Sequence, residues 1–381
     1  MIVSGFKAEE DIARAEVRWE EAGRDTQEIS VQGYDLYADP NAFLILCFLP
    51  AWHAGERRIV IEGGGICPVL RANLAAASQT LTRWHRLADP PRIEASTETR
   101  LPGEGVGLFL SGGIDSLASL RSNLQGIPRS HPEAVSAAIL VGGNTSERKF
   151  MRLREVHEIL AHEAGVQAVV LRTNAQSLHN NNMSFYINIY HGAFLAGLAH
   201  FVGGRLRKVK ISATFDAANL EPWGSHPLLD PFYSSAHMAI EHHGLEMSRL
   251  AKTAIVADWP VALDHVKVCG SLESVGENCG RCEKCLRTML ALIALGKLNT
   301  TAAFPQRDLR AEDLTNLKID NAYQASCYRD LLLPLRDRGR SDLAAVLERK
   351  LAPPTRLSRL VRKARTTLGP ANRLFKAAIR R

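Results

Sequence analysis

The chain has 381 residues, room for two or three domains and a sizeable core. Hydrophobic residues make up 46% and charged residues 23%, which excludes a disordered chain, a collagen-like fibre and a disulfide-dense mini-scaffold. The formal charge is +7, but residues 351–381 hold nine basic side chains and no acid; removing them leaves −2 on residues 1–350, so the basicity belongs to a tail.

Residues 1–100 read as a small α+β domain. A strand is expected over Ile29–Tyr37, then an apolar run from Phe43 to Leu49, closed by Pro50, that fits either a strand or a buried helix. The apolar stretch to Trp52 is too short to span a bilayer, and residues 1–10 show no secretory core, so a cytoplasmic protein is expected. Arg58–Glu62 reads as a strand, Val69–Leu87 as a helix and Arg92–Ala95 as a strand.

After the Pro102-Gly103 turn, residues 101–296 alternate strands and helices. Strands fall at Val106–Leu110, Ala137–Val141, Ala168–Leu171 and Lys208–Ser212; helices fall at Asp115–Leu124, Arg148–Glu163 and around Phe185–Phe201. This alternation predicts an α/β, doubly wound parallel sheet with ligands beyond the carboxyl ends of its strands. Residues 297–352 are predicted helical, at Ile319–Arg336 and Ser341–Leu351. In the basic tail, 353–381, Leu357, Leu360, Val361, Ala364 and Leu368 recur at helical spacing. Such a helix fits an anionic membrane surface or nucleic acid, and equally a solvated end or a segment docked on its own protein.

Two local patterns carry chemistry. The first is Ser111-Gly112-Gly113-Ile114-Asp115-Ser116, a turn between a strand and a helix. Glycines there let backbone N–H groups converge on an anion, and the helix N-terminus adds partial positive charge. Ser111 and Ser116 can donate to phosphate oxygens, and Asp115 can hold Mg²⁺ or cap the helix. The bland alternative is an ordinary glycine turn with an N-cap.

The second pattern is Cys269-x9-Cys279-x2-Cys282-x2-Cys285: four of the seven cysteines within seventeen residues. Four thiolates close the shell of a structural Zn²⁺ ion. A redox pair, a persulfide carrier and an iron–sulfur cluster are the alternatives, and Arg281, Lys284 and Arg287 are expected to lower the thiol pKa values. An odd cysteine count argues against a disulfide framework.

The segment 111–116 resembles the SGGxDS signature of the PP-loop ATP pyrophosphatase superfamily, and it lacks the Lys-Ser/Thr of a Walker A loop. That resemblance implies a PP-loop/HUP-like fold. It also implies ATP cleavage between the α and β phosphates, AMP transfer to a substrate oxygen, and displacement of AMP by a nitrogen or sulfur nucleophile. Ser111, Gly112, Gly113, Ile114, Asp115 and Ser116 would then bind the nucleotide. Asp115, Ser116 and, by analogy with later lysines of the superfamily, Lys252 would act in catalysis.

With the cysteine knuckle and the helix Leu286–Leu295 after it, residues 105–295 resemble 7-cyano-7-deazaguanine synthase, which turns a carboxylate into a nitrile with ATP and ammonia. The hundred residues before the loop, the segment Trp223–Pro231 and the stretch His179–Asn182 depart from that family, so a divergent member is expected. Residue 2 is Ile, so no N-terminal cysteine glutaminase is built in, and nitrogen would come as free ammonia or from a partner. The expected function is adenylation of a small-molecule carboxylate or amide oxygen. The alternatives are a tRNA or nucleobase thiolation enzyme and a non-catalytic nucleotide-binding zinc module.

Four further sites are weighed against structural roles. Asp216 and Asn219 follow a strand and suit ribose, Mg²⁺ or a turn cap. His226 and Asp230, in the Pro-bounded loop, suit acid–base work or Mg²⁺. His237, His242 and His243 are expected on a solvent-facing helix, and Cys67 is expected as a packed thiol before a helix.

Overall fold

The computed structural model describes residues 1–143, 145–270 and 277–353. Apart from Pro353, the basic tail lies outside these residues. In chain order the strands are β1 (Ile2–Glu9), β2 (Ile12–Arg18), β3 (Gln27–Gln32), β4 (Arg58–Ile66), β5 (Arg92–Thr97), β6 (Gly105–Phe109), β7 (Val135–Gly142), β8 (Gln167–Thr173), β9 (Leu206–Ser212) and β10 (Ala239–His243). All ten join one sheet in the order β10-β9-β6-β7-β8-β3-β2-β1-β4-β5.

From β10 to β8 every pairing is parallel, as are β1–β4 and β4–β5; β1–β2, β2–β3 and β3–β8 are antiparallel. The protein is therefore α/β with a mostly parallel sheet. Strands β7 and β8 lie on one side of β6, and β9 and β10 on the other, so the winding direction reverses between β6 and β9. Open α/β sheets bind ligands at such a switch point. Val106–Phe109 are all buried, as a central parallel strand covered on both faces requires.

The separate N-terminal domain expected over residues 1–100 does not exist as such. Its strands continue the same sheet through the β3–β8 pairing, and Met1–Leu309 form one compact unit. The apolar run is helix α1 (Pro40–His53), buried from Pro40 through Trp52. Contrary to expectation, Pro50 lies inside it. Proline has no N–H for the carbonyl four residues back, which orphans Leu46 O. The Tyr190 hydroxyl donates to that oxygen at 2.6 Å, so a distant residue repairs the helix.

Tyr190 ends a π-helical turn, Tyr186–Tyr190, set between α5 (Met183–Phe185) and α6 (His191–His200). Helix α6 packs closely on α1, since a Cβ at Gly197 would lie 2.7 Å from Leu46 Cγ. The remaining helices of this unit are α2 (Pro68–His85), α3 (Ile114–Gly126), α4 (Glu147–Ala164), α7 (Arg249–Ala257), α8 (Pro260–His265) and α9 (Glu283–Ala294).

A second compact unit begins at Arg310. The helix expected over Ile319–Arg336 is divided at Leu331 into α10 (Ala322–Asp330) and α11 (Leu332–Asp337), followed by α12 (Ser341–Leu351). Pro334 sits in the first turn of α11, where no N–H need be given to the helix. Among the described residues no helix is long and apolar enough to cross a membrane.

Removing the Tyr190 hydroxyl strands the buried Leu46 carbonyl. Tyr190→Phe is expected to destabilise folding by about 1–3 kcal/mol, read from urea unfolding midpoints.

Candidate functional site

After β6, the Leu110 N–H bonds Ile139 O and the chain turns at Ser111–Gly113 into α3. Gly112 takes φ +75, a conformation that penalises a side chain. Gly113 is the N-cap of α3, and no side chain caps it. The first N–H groups of α3 thus face the carboxyl edge of the sheet without a capping acceptor, where the helix dipole is positive. Two hydroxyls gather beside them: Ser111 Oγ lies 3.3 Å from Ser116 Oγ, which donates to Gly113 O at 3.1 Å.

Asp115, in the first turn of α3, is flanked by two cations of α7. Arg249 Nη2 is 3.0 Å from Oδ2, and Lys252 Nζ is 3.5 Å from Oδ1. Oδ1 is buried, with the Lys252 ammonium as its neighbouring cation. Lys252 is itself buried and donates to Ala213 O, just beyond β9, at 2.7 Å. Its side chain therefore links α3, which follows β6, to the turn that follows β9. Burial pulls its pKa down while the Asp115 carboxylate opposes the fall. Sequence reasoning missed Arg249, although its spacing of three from Lys252 on one helix puts both on the same face.

A cleft of about 340 Å³ opens over this corner. Ser111, Asp115 and Ser116 form one wall, Ile211, Ser212 and Thr214 another, and Gln176, Tyr186, His191 and Phe194 the far side. Burial holds the His191 imidazole below its ordinary pKa, so it is neutral at pH 7. Ser212 Oγ is buried with no hydrogen-bond partner among the described residues. The helix expected around Phe185–Phe201 holds Tyr186 and His191, but nothing in its pattern marked them or Gln176 as cleft residues, because only packing brings this stretch over the end of β6.

The other expected site residues serve the scaffold. Asp216 accepts from Ala218 N and from Asn219 Nδ2, closing its own turn. Asp230 is buried and accepts from Ser225 Oγ at 2.7 Å and from the His226 N–H at 3.2 Å, with His242 Nδ1 at 2.7 Å; His226 packs edge-on against Trp84. The three histidines do not lie on a solvent-facing helix. His242 and His243 belong to β10, and His237 is buried 2.9 Å from the Asp39 carboxylate. Cys67 is a buried thiol at the N-cap of α2 and accepts from Ala236 N.

The four knuckle sulfurs lie within 4.8 Å of one another. Cys279–Cys285 and Cys269–Cys282 are each 3.9 Å apart, close to the edge of about 3.8 Å for a tetrahedron with zinc–sulfur bonds of about 2.3 Å. Gly280, at φ +67, makes the turn between Cys279 and Cys282, and the Cys282 N–H bonds back to Cys279 Sγ at 3.4 Å. The donor set and spacing thus fit a closed Cys₄ zinc centre. The expected lowering of thiol pKa by Arg281, Lys284 and Arg287 is not found. Burial raises Cys282 and Cys285 instead, and Arg287 is paired with Glu283 at 3.4 Å.

Fold and site together define an α/β protein with a ten-stranded, mostly parallel sheet and a four-cysteine cluster able to hold a metal ion. No protein-family model matches the chain, and neither does any curated protein or solved structure compared with it.

Purified protein is expected to carry one Zn²⁺ per chain by elemental analysis, and Cys285→Ala well under half an equivalent. Because burial raises the pKa of the Cys282 and Cys285 thiols, zinc must displace their protons. From pH 8 to 6, affinity is therefore expected to fall by about tenfold per pH unit for each proton displaced, read in a chelator competition.

Proposed function

We propose that the chain is an ATP-dependent adenylating enzyme of the PP-loop class, related to 7-cyano-7-deazaguanine synthase. The observation that carries this reading is the corner at the switch point. There the start of an uncapped helix behind Gly112-Gly113 and two serine hydroxyls border one cleft, and the cations Arg249 and Lys252 pair with Asp115 in its wall.

In this reading a carboxylate or amide oxygen of a small molecule attacks the α phosphorus of ATP. The bond to the β-phosphate bridging oxygen breaks, and pyrophosphate leaves with its electron pair. The α3 N–H groups and the Ser111 and Ser116 hydroxyls meet the charge that grows on the departing group. Lys252 and Arg249 are held near it by Asp115 and need no long-range movement. Mg²⁺, when bound, would neutralise phosphate charge, and Asp115, which lines the cleft, is the carboxylate that would hold it. A nitrogen nucleophile, ammonia in the simplest case, then attacks the activated carbon. AMP departs with the carbon–oxygen pair and the nitrogen loses a proton.

Sulfur transfer would need a reactive thiol outside the metal shell, and Cys47, Cys67 and Cys327 are all buried. The zinc-bound reading of the other four leaves none for a persulfide. This disfavours thiolation and leaves amidation or nitrile formation in front.

Zinc-loaded protein with Mg·ATP and a panel of carboxylates, including 7-carboxy-7-deazaguanine, is expected to form AMP and pyrophosphate. Asp115→Ala and Lys252→Met are each expected to slow this by about 10²–10³-fold. ADP with phosphate would overturn the reading, and tight ATP binding without turnover across the panel would favour a non-catalytic nucleotide-binding module.

A further inference from the structure

We propose that Asn278 is a positioning residue that couples the four-cysteine centre to the glycine loop, so that metal occupancy and phosphate binding at residues 112–116 are thermodynamically linked. The inference rests on the phosphate-binding reading of that loop.

Asn278 directly precedes the ligand Cys279 and is 7% exposed. Its side-chain oxygen accepts the N–H groups of Val268 at 2.9 Å and Cys269 at 3.1 Å. Its amide nitrogen donates to Val266 O at 2.8 Å and Ala303 O at 2.9 Å. Two acceptor sites and two donors are thus all used, which fixes the ring of backbone around it. That backbone contains a second ligand, Cys269, and between its clamped residues sits Lys267.

Lys267 is the contact with the loop. Its backbone N–H donates to Gly112 O at 2.8 Å, and its ammonium donates to Glu277 O, one residue before Asn278. The Gly112 carbonyl and the Gly113 N–H belong to one trans peptide plane and point in opposite directions. Holding that oxygen on Lys267 therefore aims the Gly113 N–H away from Lys267, on the side where Ser111 Oγ lies. Gly112, at φ +75, has no side chain to fix this peptide, which is held at one end by Ser111 Oγ, 3.4 Å from the Gly113 N–H, and at the other by the outside anchor Lys267. A metal ion that ties Cys269 to Cys279 stiffens the two ends of the clamp, and the clamp sets the peptide. Any ligand that prefers the aimed peptide must in return favour the metal-bound clamp by the same factor.

Inorganic pyrophosphate and Zn²⁺ are the probes. By calorimetry, zinc-loaded protein is expected to bind pyrophosphate about fivefold or more tightly than zinc-stripped protein. Saturating pyrophosphate is expected to strengthen zinc binding by the same factor in a chelator competition. A merely structural zinc would not show that reciprocal effect. If the zinc-stripped chain unfolds, zinc-loaded Asn278→Ala decides the matter. It should keep one zinc per chain, lose about fivefold or more in pyrophosphate affinity, and exchange the amides of residues 112–116 faster. Equal pyrophosphate affinity in zinc-loaded Asn278→Ala and the parent overturns the linkage and leaves the nucleotide reading standing. Zinc-loaded parent protein that fails to bind pyrophosphate overturns both, and failure to bind zinc overturns the linkage.

Discussion

Strand β6 is hydrogen-bonded in parallel to β7 on one side and to β9 on the other, so the carboxyl ends of all three reach the same edge of the sheet. The chain leaving β6 must turn back over that edge at once to begin α3. Gly112 permits the turn, and Gly113 hands the chain to the helix without a capping side chain. The cleft, the uncapped N–H groups and the reach of Lys252 to Ala213 all follow from this one juncture. A sheet in which β6 had only one neighbour would lack the crevice between diverging connections.

Arg249 and Lys252 both pair with the Asp115 carboxylate, and Lys252 is buried while doing so, with Asp216 adding negative charge to its surroundings. Removing such a cation from water costs several kcal/mol, which these carboxylates and a backbone carbonyl offset. Hydrophobic packing would have served stability at least as well.

Residues 1–100 belong to the same structure, and they enlarge it in a particular way. Helix α1 is apolar on every side because it is covered on every side, with α6 pressed against it at Gly197 and Tyr190 supplying the proton that Pro50 cannot. The segment that starts α6 also lines the cleft, through Tyr186 and His191. The far wall of the candidate site is thereby fastened to the N-terminal part of the chain.

Much of the sheet was legible because its signals are local. Strands β6 to β9 are short runs rich in apolar and β-branched residues between turn residues, and α4 and α9 repeat apolar residues at helical spacing. The glycine loop and the four cysteines are also read within a few residues of chain. By contrast β1 and β2 went unseen, since their outer residues are polar and exposed and they are held by neighbours distant in sequence. The histidines near 240 were misplaced for the same reason: strand β10 is defined by pairing with β9, and His242 is buried by Asp230, twelve residues earlier. Gln176, Tyr186 and His191 reach the cleft from the stretch between β8 and α6, Arg249 reaches Asp115 from α7, and Lys267 meets Gly112 across 155 residues of chain. The sequence by itself determined which peptide could turn at the end of β6 and which sulfurs could share an ion, because backbone freedom and ligand type are properties of single residues. Tertiary structure alone decided which cations, which walls and which clamp surround that turn, because proximity through space depends on how whole elements pack.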